Sequence, residues 1–197
     1  MHVAVFGGTF DPPHNGHLAM CLFARELLCI DRIILSVSNN PFKQARLDHD
    51  DHRRNMIGLL VAELRKTGLP AEPCDWELQK KTSSYTVDLL RHLHEVYPAD
   101  KLTLLVGEDS YREFPLWKSH EELEALADIA VFRRVTHDRI DQENERKKGN
   151  RNIRFIDFDC PVSSTTTRAY IASGRPVTAM IPSAINRYII AHHLYQG

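Results

Sequence analysis

Residues 2–17 read HVAVFGGTFDPPHNGH, and they set a pattern that the rest of the chain repeats. The apolar run at 2–6 predicts a β-strand, which two glycines follow directly. After a proline-containing loop, apolar side chains recur at helical spacing over 16–28 and predict a helix. In sheets built from such units, ligands bind beyond the carboxyl ends of the strands. The glycine-rich loop is therefore the first candidate for a binding site.

The same alternation of strand and helix continues along the chain. Further strands are predicted at 33–37, 71–78, 102–106, 129–132 and 153–158. Further helices are predicted at 51–66, at 86–97 with Ser84 as N-cap, around 123–126, from Ser163 or Ser164 to near Gly174, and from Pro182 to about His192. This order predicts an α/β, Rossmann-like doubly wound fold, with a mostly parallel sheet and helices on both faces.

The bulk composition indicates one ordinary globular domain. The chain has 197 residues, 43% of them hydrophobic and 26% charged, with a formal net charge of −1. We expect a single domain over 1–197, with a polar loop or insertion at about 137–151 and C-terminal helices within 163–193. The near-neutral charge gives no reason to expect a nucleic-acid or membrane partner.

The cellular location is predicted from the cysteines and the start of the chain. Four cysteines are scattered without a CxxC pair, and the first predicted strand begins at residue 2, leaving no room for a signal peptide. No apolar run approaches the roughly 20 residues that span a bilayer. We therefore expect a cytoplasmic protein with reduced thiols.

The residue types in the first loop favour a phosphate site. Gly7 and Gly8 permit backbone angles closed to other residues and are expected to let a ligand approach the main chain. The helix that follows turns free N–H groups toward the same place. His14 and His17 lie three residues apart, and both can face an anion, as neutral donors or as imidazolium cations. Neither the GxGxxG dinucleotide fingerprint nor a Walker loop is present, which disfavours a dehydrogenase.

The loop resembles the (H/T)xGH signature of the nucleotidyltransferase superfamily, with His14, Gly16 and His17 forming HxGH. The form GGTFDPPHNGH is most similar to bacterial nicotinate mononucleotide adenylyltransferases. Further segments resemble that family in order: NPFK at 40–43, HR with Met56 at 52–56, YTVD at 85–88, VGED at 106–109 with Phe114 and Trp117, SSTTTR at 163–168, and a C-terminal block from Pro182 to Tyr195. Two positions depart from it, since Leu89 and Thr167 replace the usual threonine and apolar residue.

The resemblance implies adenylyl transfer from ATP to nicotinate mononucleotide, giving deamido-NAD and pyrophosphate in NAD biosynthesis. It implies catalytic roles for His14, His17 and Arg168. The residues that it implies for ATP binding are Gly7, Gly8, Thr9, Phe10, Lys43, Gly107, Asp109, Ser163, Ser164 and Thr165. An arginine fork and hydroxyls at a helix N-terminus suit the leaving pyrophosphate. Magnesium is expected to arrive with ATP, held mainly by phosphates and water.

The mononucleotide site is implied at Asn40, Tyr85, Thr86 and Trp117, with Trp117 as a flat surface for the pyridine ring. Asp109 is expected to bind the ribose of adenosine or to cap the next helix, or both. Three acceptor substrates remain possible: nicotinate mononucleotide, nicotinamide mononucleotide and pantetheine phosphate. A non-catalytic nucleotide sensor is a further alternative, and homo-oligomerisation is left open. The sequence HDDH at 49–52 fits either a helix start or a metal site.

Overall fold

Six strands form one sheet in the computed structural model, which describes residues 1–39, 50–80, 82–133 and 152–196. The strands are β1 (His2–Gly8), β2 (Arg32–Val37), β3 (Ala71–Cys74), β4 (Lys101–Gly107), β5 (Asp128–Arg133) and β6 (Ile153–Asp157). Their order across the sheet is β3-β2-β1-β4-β5-β6. Every neighbouring pair in this order is parallel, so the predicted mostly parallel sheet is confirmed and runs in one direction throughout the described strands.

Helices connect these strands and cover the sheet. Those in the described residues are α1 (Asn15–Leu28), α2 (Asp50–Lys66), α3 (Trp76–Gln79), α4 (Thr86–Val96), α5 (Glu108–Arg112), α6 (His120–Leu126), α7 (Ser164–Ala172) and α8 (Ser183–Ala191). A single 3₁₀ turn, Phe114–Leu116, lies between α5 and α6. Within the described residues, no helix combines the length and the apolar character that crossing a membrane requires.

Alternate residues of β1 point to opposite faces of the sheet, which divides the core into two layers. Ala4 and Phe6 pack with buried side chains of α1, α2 and α8. Val3 and Val5 pack with buried side chains of α4 and α6. Because both faces are covered, the inner strands read as continuous apolar runs rather than as alternating ones. The doubly wound fold predicted from the sequence is therefore confirmed.

The sheet also fixes where a ligand can bind. β1 lies at the centre, where Val5 pairs with Ile34 of β2 on one side and with Leu104 of β4 on the other. The chain runs outward through β2 and β3 in one direction and through β5 and β6 in the other. The strand order thus reverses between β1 and β4, and a crevice opens there beyond their carboxyl ends.

Two local predictions were wrong. The segment 71–78 was predicted as one strand, but the strand ends at Cys74 and the short helix α3 follows, because Trp76 and Leu78 pack outside the sheet layer. Ser84 is not the N-cap of α4. That position belongs to Tyr85, whose N–H donates to the Asp88 carboxylate at 3.3 Å, while the buried Ser84 hydroxyl donates to Glu77.

The first loop contains one residue in the left-handed region, and it is not a glycine. Gly7 and Gly8 belong to β1 and are extended, whereas the left-handed residue in this loop is Phe10, with φ of 49°. The polar segment predicted at 137–151 lies outside the described residues.

Candidate active site

A cavity of about 580 Å³ opens at the carboxyl ends of β1 and β4. Its walls come from the loop after β1, the start of α1, the ends of β4 and β5, and the start of α7. Of the predicted site residues, those that line it are Gly7, Gly8, Thr9, Phe10, His14, His17, Thr86, Gly107, Asp109, Trp117, Ser164, Thr165 and Arg168. Residues from distant parts of the chain thus meet at the place that the topology indicates.

His14 and His17 form a stacked pair at the start of α1. Their ring centroids are 3.6 Å apart with an interplanar angle of 20°. The main-chain N–H of His14 donates to Nδ1 of His17 at 3.1 Å, so a neutral His17 ring carries its proton on Nε2. Phe10 packs edge-on against the His17 ring, at 4.9 Å between centroids. The Nδ1 atom of His14 is buried without a hydrogen-bond partner in the described structure.

The charge state of the two histidines follows from this packing. Burial lowers the pKa of His14 to about 4. Removal from water lowers the pKa of His17 well below its usual 6.5, and proximity to His14 lowers it further. Both rings are therefore neutral near pH 7. Of the two possibilities left by the sequence, the geometry favours neutral hydrogen-bond donors over imidazolium cations.

The glycines of the loop make room for this arrangement. A Cβ on Gly16 would lie 2.9 Å from the His14 ring and 3.2 Å from Sγ of Cys160. A Cβ on Gly8 would lie 3.0 Å from the Phe10 ring. Contacts this short force a displacement of the neighbouring atom. Gly8 and Gly16 thus permit the Phe10 and His14 rings to approach the main chain.

The start of α7 supplies the cationic side of the cavity. Ser163 is the N-cap, and its hydroxyl accepts a hydrogen bond from the N–H of Thr166 at 3.1 Å. The hydroxyl of Ser164 donates to the carbonyl of Pro12 at 2.9 Å. Arg168 donates through Nη1 to the carbonyl of Asp11 at 2.5 Å and through Nη2 to Oγ1 of Thr165 at 3.4 Å. The second phosphate signature is therefore bound directly to the first loop.

Asp11 connects this loop to the C-terminal segment. The Tyr195 hydroxyl donates to the Asp11 carboxylate at 2.6 Å, and the same carboxylate lies 3.8 Å from Nη1 of Arg168. Burial and the hydrogen bond to Asp11 raise the pKa of Tyr195, which keeps the phenol protonated as a donor. Three segments that are far apart in the sequence thus fix the side of the cavity at which Arg168 lies.

The opposite part of the cavity is lined by an aromatic ring and by residues at the end of β4 and the start of α4. Trp117, which is partly buried, packs against Phe114 with ring centroids 5.4 Å apart. Thr86 begins α4, and Gly107 ends β4. Asp109 is exposed at the second position of α5, whose N-cap is Gly107, so Asp109 does not cap this helix.

Some predicted site residues lie elsewhere. Ser163 and Tyr85 do not line the cavity in the described residues, and both act at helix starts instead. Asn40 and Lys43 fall outside the described residues. The two departures from the family pattern are both buried. Thr167 donates its hydroxyl to the Ser163 carbonyl at 2.8 Å, and Leu89 lines the cavity.

The HDDH segment is described only in part, because His49 falls outside the described residues. Asp50 and Asp51 lie in the first turn of α2 and pair with Arg53 and Arg54. Nδ1 of His52 lies 2.9 Å from the Tyr188 hydroxyl. Among the residues that the structure describes, no cluster of three or more His, Cys, Asp or Glu side chains could hold a metal ion.

Two buried charged residues near the cavity were not among the predicted site residues. Glu77 lines the cavity and accepts hydrogen bonds from Ser36 and Ser84. Arg53 binds the carbonyl of Thr9. Glu77 lies in the segment predicted as a strand, so the sequence did not indicate that it lines the cavity. Arg53 lies in the segment that resembles the start of a helix in the family, and that resemblance did not indicate a contact with the first loop.

Comparison with known proteins identifies the family. Residues 5–170 match the cytidylyltransferase-like family model. A protein of Chlorobium phaeobacteroides named "Probable nicotinate-nucleotide adenylyltransferase" is 73% identical over 196 residues, covering 100% of both chains. A protein of Chlorobaculum tepidum with the same name is 51% identical over 197 residues, again covering 100% of both chains.

Solved structures agree at the level of the fold. The Plasmodium falciparum nicotinic acid mononucleotide adenylyltransferase complexed with APC superposes with a TM-score of 0.78 at 21% identity, covering 98% of this chain and 96% of that one. The same enzyme complexed with NaAD gives a TM-score of 0.78 at 20% identity, covering 98% and 97%. The chain therefore belongs to the cytidylyltransferase-like family and, within it, to the nicotinate-nucleotide adenylyltransferases.

Proposed function

We propose that the protein transfers the adenylyl group of ATP to the phosphate of nicotinate mononucleotide, releasing pyrophosphate and forming deamido-NAD. The observation that carries this proposal is the meeting of two phosphate-binding signatures in one cavity. The stacked pair of His14 and His17 comes from the start of α1, and Arg168 comes from the start of α7. Arg168 is hydrogen-bonded to the loop that leads to the histidines.

The reaction needs no nucleophile from the protein. An oxygen of the mononucleotide phosphate attacks the α-phosphorus of ATP in line, and the bond to the β-phosphate oxygen breaks. Catalysis then consists of positioning the two substrates and stabilising charge on the transferred phosphoryl group. A neutral His17 carries a proton on Nε2 and can donate a hydrogen bond to an α-phosphate oxygen. This hydrogen bond stabilises the negative charge on that oxygen during the transfer. His14 supports the same orientation through the stack.

The leaving pyrophosphate is held by the other signature. The first turn of α7 presents main-chain N–H groups and the Thr165 hydroxyl, and Arg168 contributes a planar cation able to bind two phosphate oxygens at once. Lys43 is proposed to add a second cation. Magnesium enters as part of the ATP complex and neutralises phosphate charge. The exposed Asp109 carboxylate, at the end of β4, is proposed to accept from the ribose hydroxyls.

The acceptor is proposed to occupy the part of the cavity that Trp117 and Thr86 line. A partly buried indole offers a flat apolar surface to the pyridine ring. The N-terminus of α4 and the Thr86 hydroxyl offer donors to a carboxylate. Such donors favour nicotinate over nicotinamide, because an amide would turn N–H groups toward N–H groups. The four free thiols fit a reducing compartment, and we propose that the protein works in the cytoplasm.

The proposal is tested by pyrophosphate release from MgATP with nicotinate mononucleotide, nicotinamide mononucleotide and pantetheine phosphate supplied separately. We expect turnover with the acid form and a large loss of it in His17→Ala. A preference for another acceptor would overturn the assignment of the acceptor pocket. Binding of ATP without turnover on any of the three acceptors would favour a nucleotide sensor.

A further inference from the structure

Two buried charged side chains hold neighbouring residues of the loop after β2. Arg53 on α2 and Glu77 on α3 are 1% and 3% exposed. Burying a charge costs several kcal/mol unless hydrogen bonds replace the lost water. In this chain main-chain groups, serine hydroxyls and the Asp50 carboxylate replace that water.

Arg53 binds the loop after β1 and the loop after β2 together. Its Nη1 donates to the carbonyl of Thr9 and to the carbonyl of Ser38, each at 3.0 Å. Its Nη2 donates to the Asp50 carboxylate at 2.5 Å. The N–H of Ser38 also donates to the carbonyl of Gly8 at 2.9 Å. A planar guanidinium can hold both carbonyls at fixed angles, which a single ammonium group does not.

Glu77 binds the loop after β2 and the turn before α4. Its Oε1 accepts from the Ser36 hydroxyl at 3.0 Å. Its Oε2 accepts from the Ser84 hydroxyl at 2.7 Å and from the N–H of Asn39 at 3.4 Å. The N–H of Ser84 in turn donates to the carbonyl of Asn39 at 3.3 Å. Within the described part of the chain, the Glu77 carboxylate forms no ion pair.

We infer that Arg53 and Glu77 are positioning residues that set the two halves of the site separately. Arg53 acts through Thr9 on the loop that carries Phe10 and His14, so it orders the ATP side. Glu77 acts through Ser84 on the start of α4, where Thr86 lies, so it orders the acceptor side. The two meet at Ser38 and Asn39, one holding a carbonyl and the other an N–H. This inference rests on the proposed function for the assignment of the two sides.

The test compares conservative variants. Arg53→Lys keeps the charge but loses the planar fork, and Glu77→Gln keeps the shape but removes the negative charge and replaces one of the two acceptor oxygens by an amide donor. We expect Arg53→Lys to raise KM for ATP roughly tenfold or more and to leave KM for nicotinate mononucleotide within about twofold. We expect Glu77→Gln to do the reverse. Arg54→Lys and Asp75→Asn are matched controls, since Arg54 is next to Arg53, Asp75 lies two residues before Glu77, and both are more exposed.

A merely structural role would raise both constants together in each variant, and that result would overturn the inference. If Glu77→Gln fails to fold, as judged by its Tm, Ser84→Ala replaces it; if Arg53→Lys fails, Asp50→Asn replaces it, since it weakens the carboxylate contact of Arg53 and is expected to raise KM for ATP alone. Ser84→Ala removes one Glu77 contact and is expected to raise KM for the mononucleotide alone; an equal effect on ATP would contradict the division. Calorimetric binding of MgATP without acceptor separates this inference from the reaction itself. Weaker MgATP binding by Arg53→Lys but not by Glu77→Gln supports it even without turnover, and equal weakening overturns it.

Discussion

The main-chain N–H of His14 donates a hydrogen bond to the ring of His17, and the two rings stack with centroids 3.6 Å apart. Each ring therefore limits where the other can lie. Their packing also excludes water, which disfavours protonation of both. The packing of the two rings therefore determines both their orientation and their neutral charge state.

The stability of the protein should fall in acid because of this pair. The pKa of both rings is lowered in the folded state, to about 4 for His14, so the unfolded chain binds more protons below its usual pKa of 6.5. The contribution is complete above that pH and is lost as the pH falls toward the folded value. Each ring contributes a slope of up to about 1.4 kcal/mol per pH unit. Urea unfolding of wild type and His14→Gln between pH 7.5 and 4.5 measures it, with the exposed His94→Gln as control. Equal slopes for all three proteins would contradict the assignment.

Gly16→Ala should reduce activity without unfolding the protein. The added methyl group would lie 2.9 Å from the His14 ring and would displace it from the stack. A displacement of this size costs about 10- to 100-fold in rate when it moves a group that positions the reacting atoms. Gly58→Ala on α2 is the matched control, because its Cβ meets nothing within 4 Å. That variant should keep full activity and gain about 0.4–1 kcal/mol of stability. Normal kcat in Gly16→Ala would show that the stack is dispensable.

Ser163→Ala should weaken ATP binding although Ser163 does not line the cavity. The hydroxyl caps α7 by accepting from the N–H of Thr166, and its loss should cost about 1 kcal/mol of stability. The first turn of α7 and Arg168 then become less ordered, and KM for ATP rises. Ser173→Ala removes a hydroxyl at the other end of the same helix and should leave KM unchanged. Chemical denaturation and steady-state kinetics provide both numbers. The same KM for both variants would exclude the cap from any part in ATP binding.

Trp117→Ala should raise KM for nicotinate mononucleotide and leave KM for ATP unchanged. The indole lines the side of the cavity that we assign to the acceptor and offers a flat apolar surface there. Trp117→Phe keeps a flat ring and should recover part of the affinity. Initial rates with one substrate varied and the other saturating separate the two constants. A larger effect on ATP than on the mononucleotide would place the acceptor elsewhere.

The order of elements could be predicted closely because it depends on local patterns. Alternating apolar runs predict β1 and α1 to within two residues at each end, and the (H/T)xGH and SSTxxR-like signatures predict where the cavity forms. The family and the proposed reaction were also predicted, and the relatives confirm that prediction. The end of β3 at Cys74 was harder to predict. The apolar residues Trp76 and Leu78 follow it and suggest a longer strand, but they belong to the short helix α3.

What the sequence did not reveal depends on side-chain contacts and burial that local sequence patterns do not encode. Ser84 was predicted as a helix N-cap, because the sequence does not show that its hydroxyl donates to Glu77 across a loop. The neutrality of the histidines required knowledge of their burial, since a histidine in a loop is equally compatible with a charged ring. The steric need for glycine at position 16 was not predicted, because the atoms that a side chain there would meet belong to His14 and Cys160.

The hydrogen bond from Tyr195 to Asp11 joins positions 184 residues apart. During synthesis the loop that contains Asp11 leaves the ribosome long before Tyr195 has been translated. A nascent chain therefore carries the GGTFDPPHNGH motif without the phenol that anchors it. The first loop acquires this contact only when the C-terminal segment has docked, so fraying of that segment in the mature protein would loosen the loop that we propose to bind the ATP phosphates.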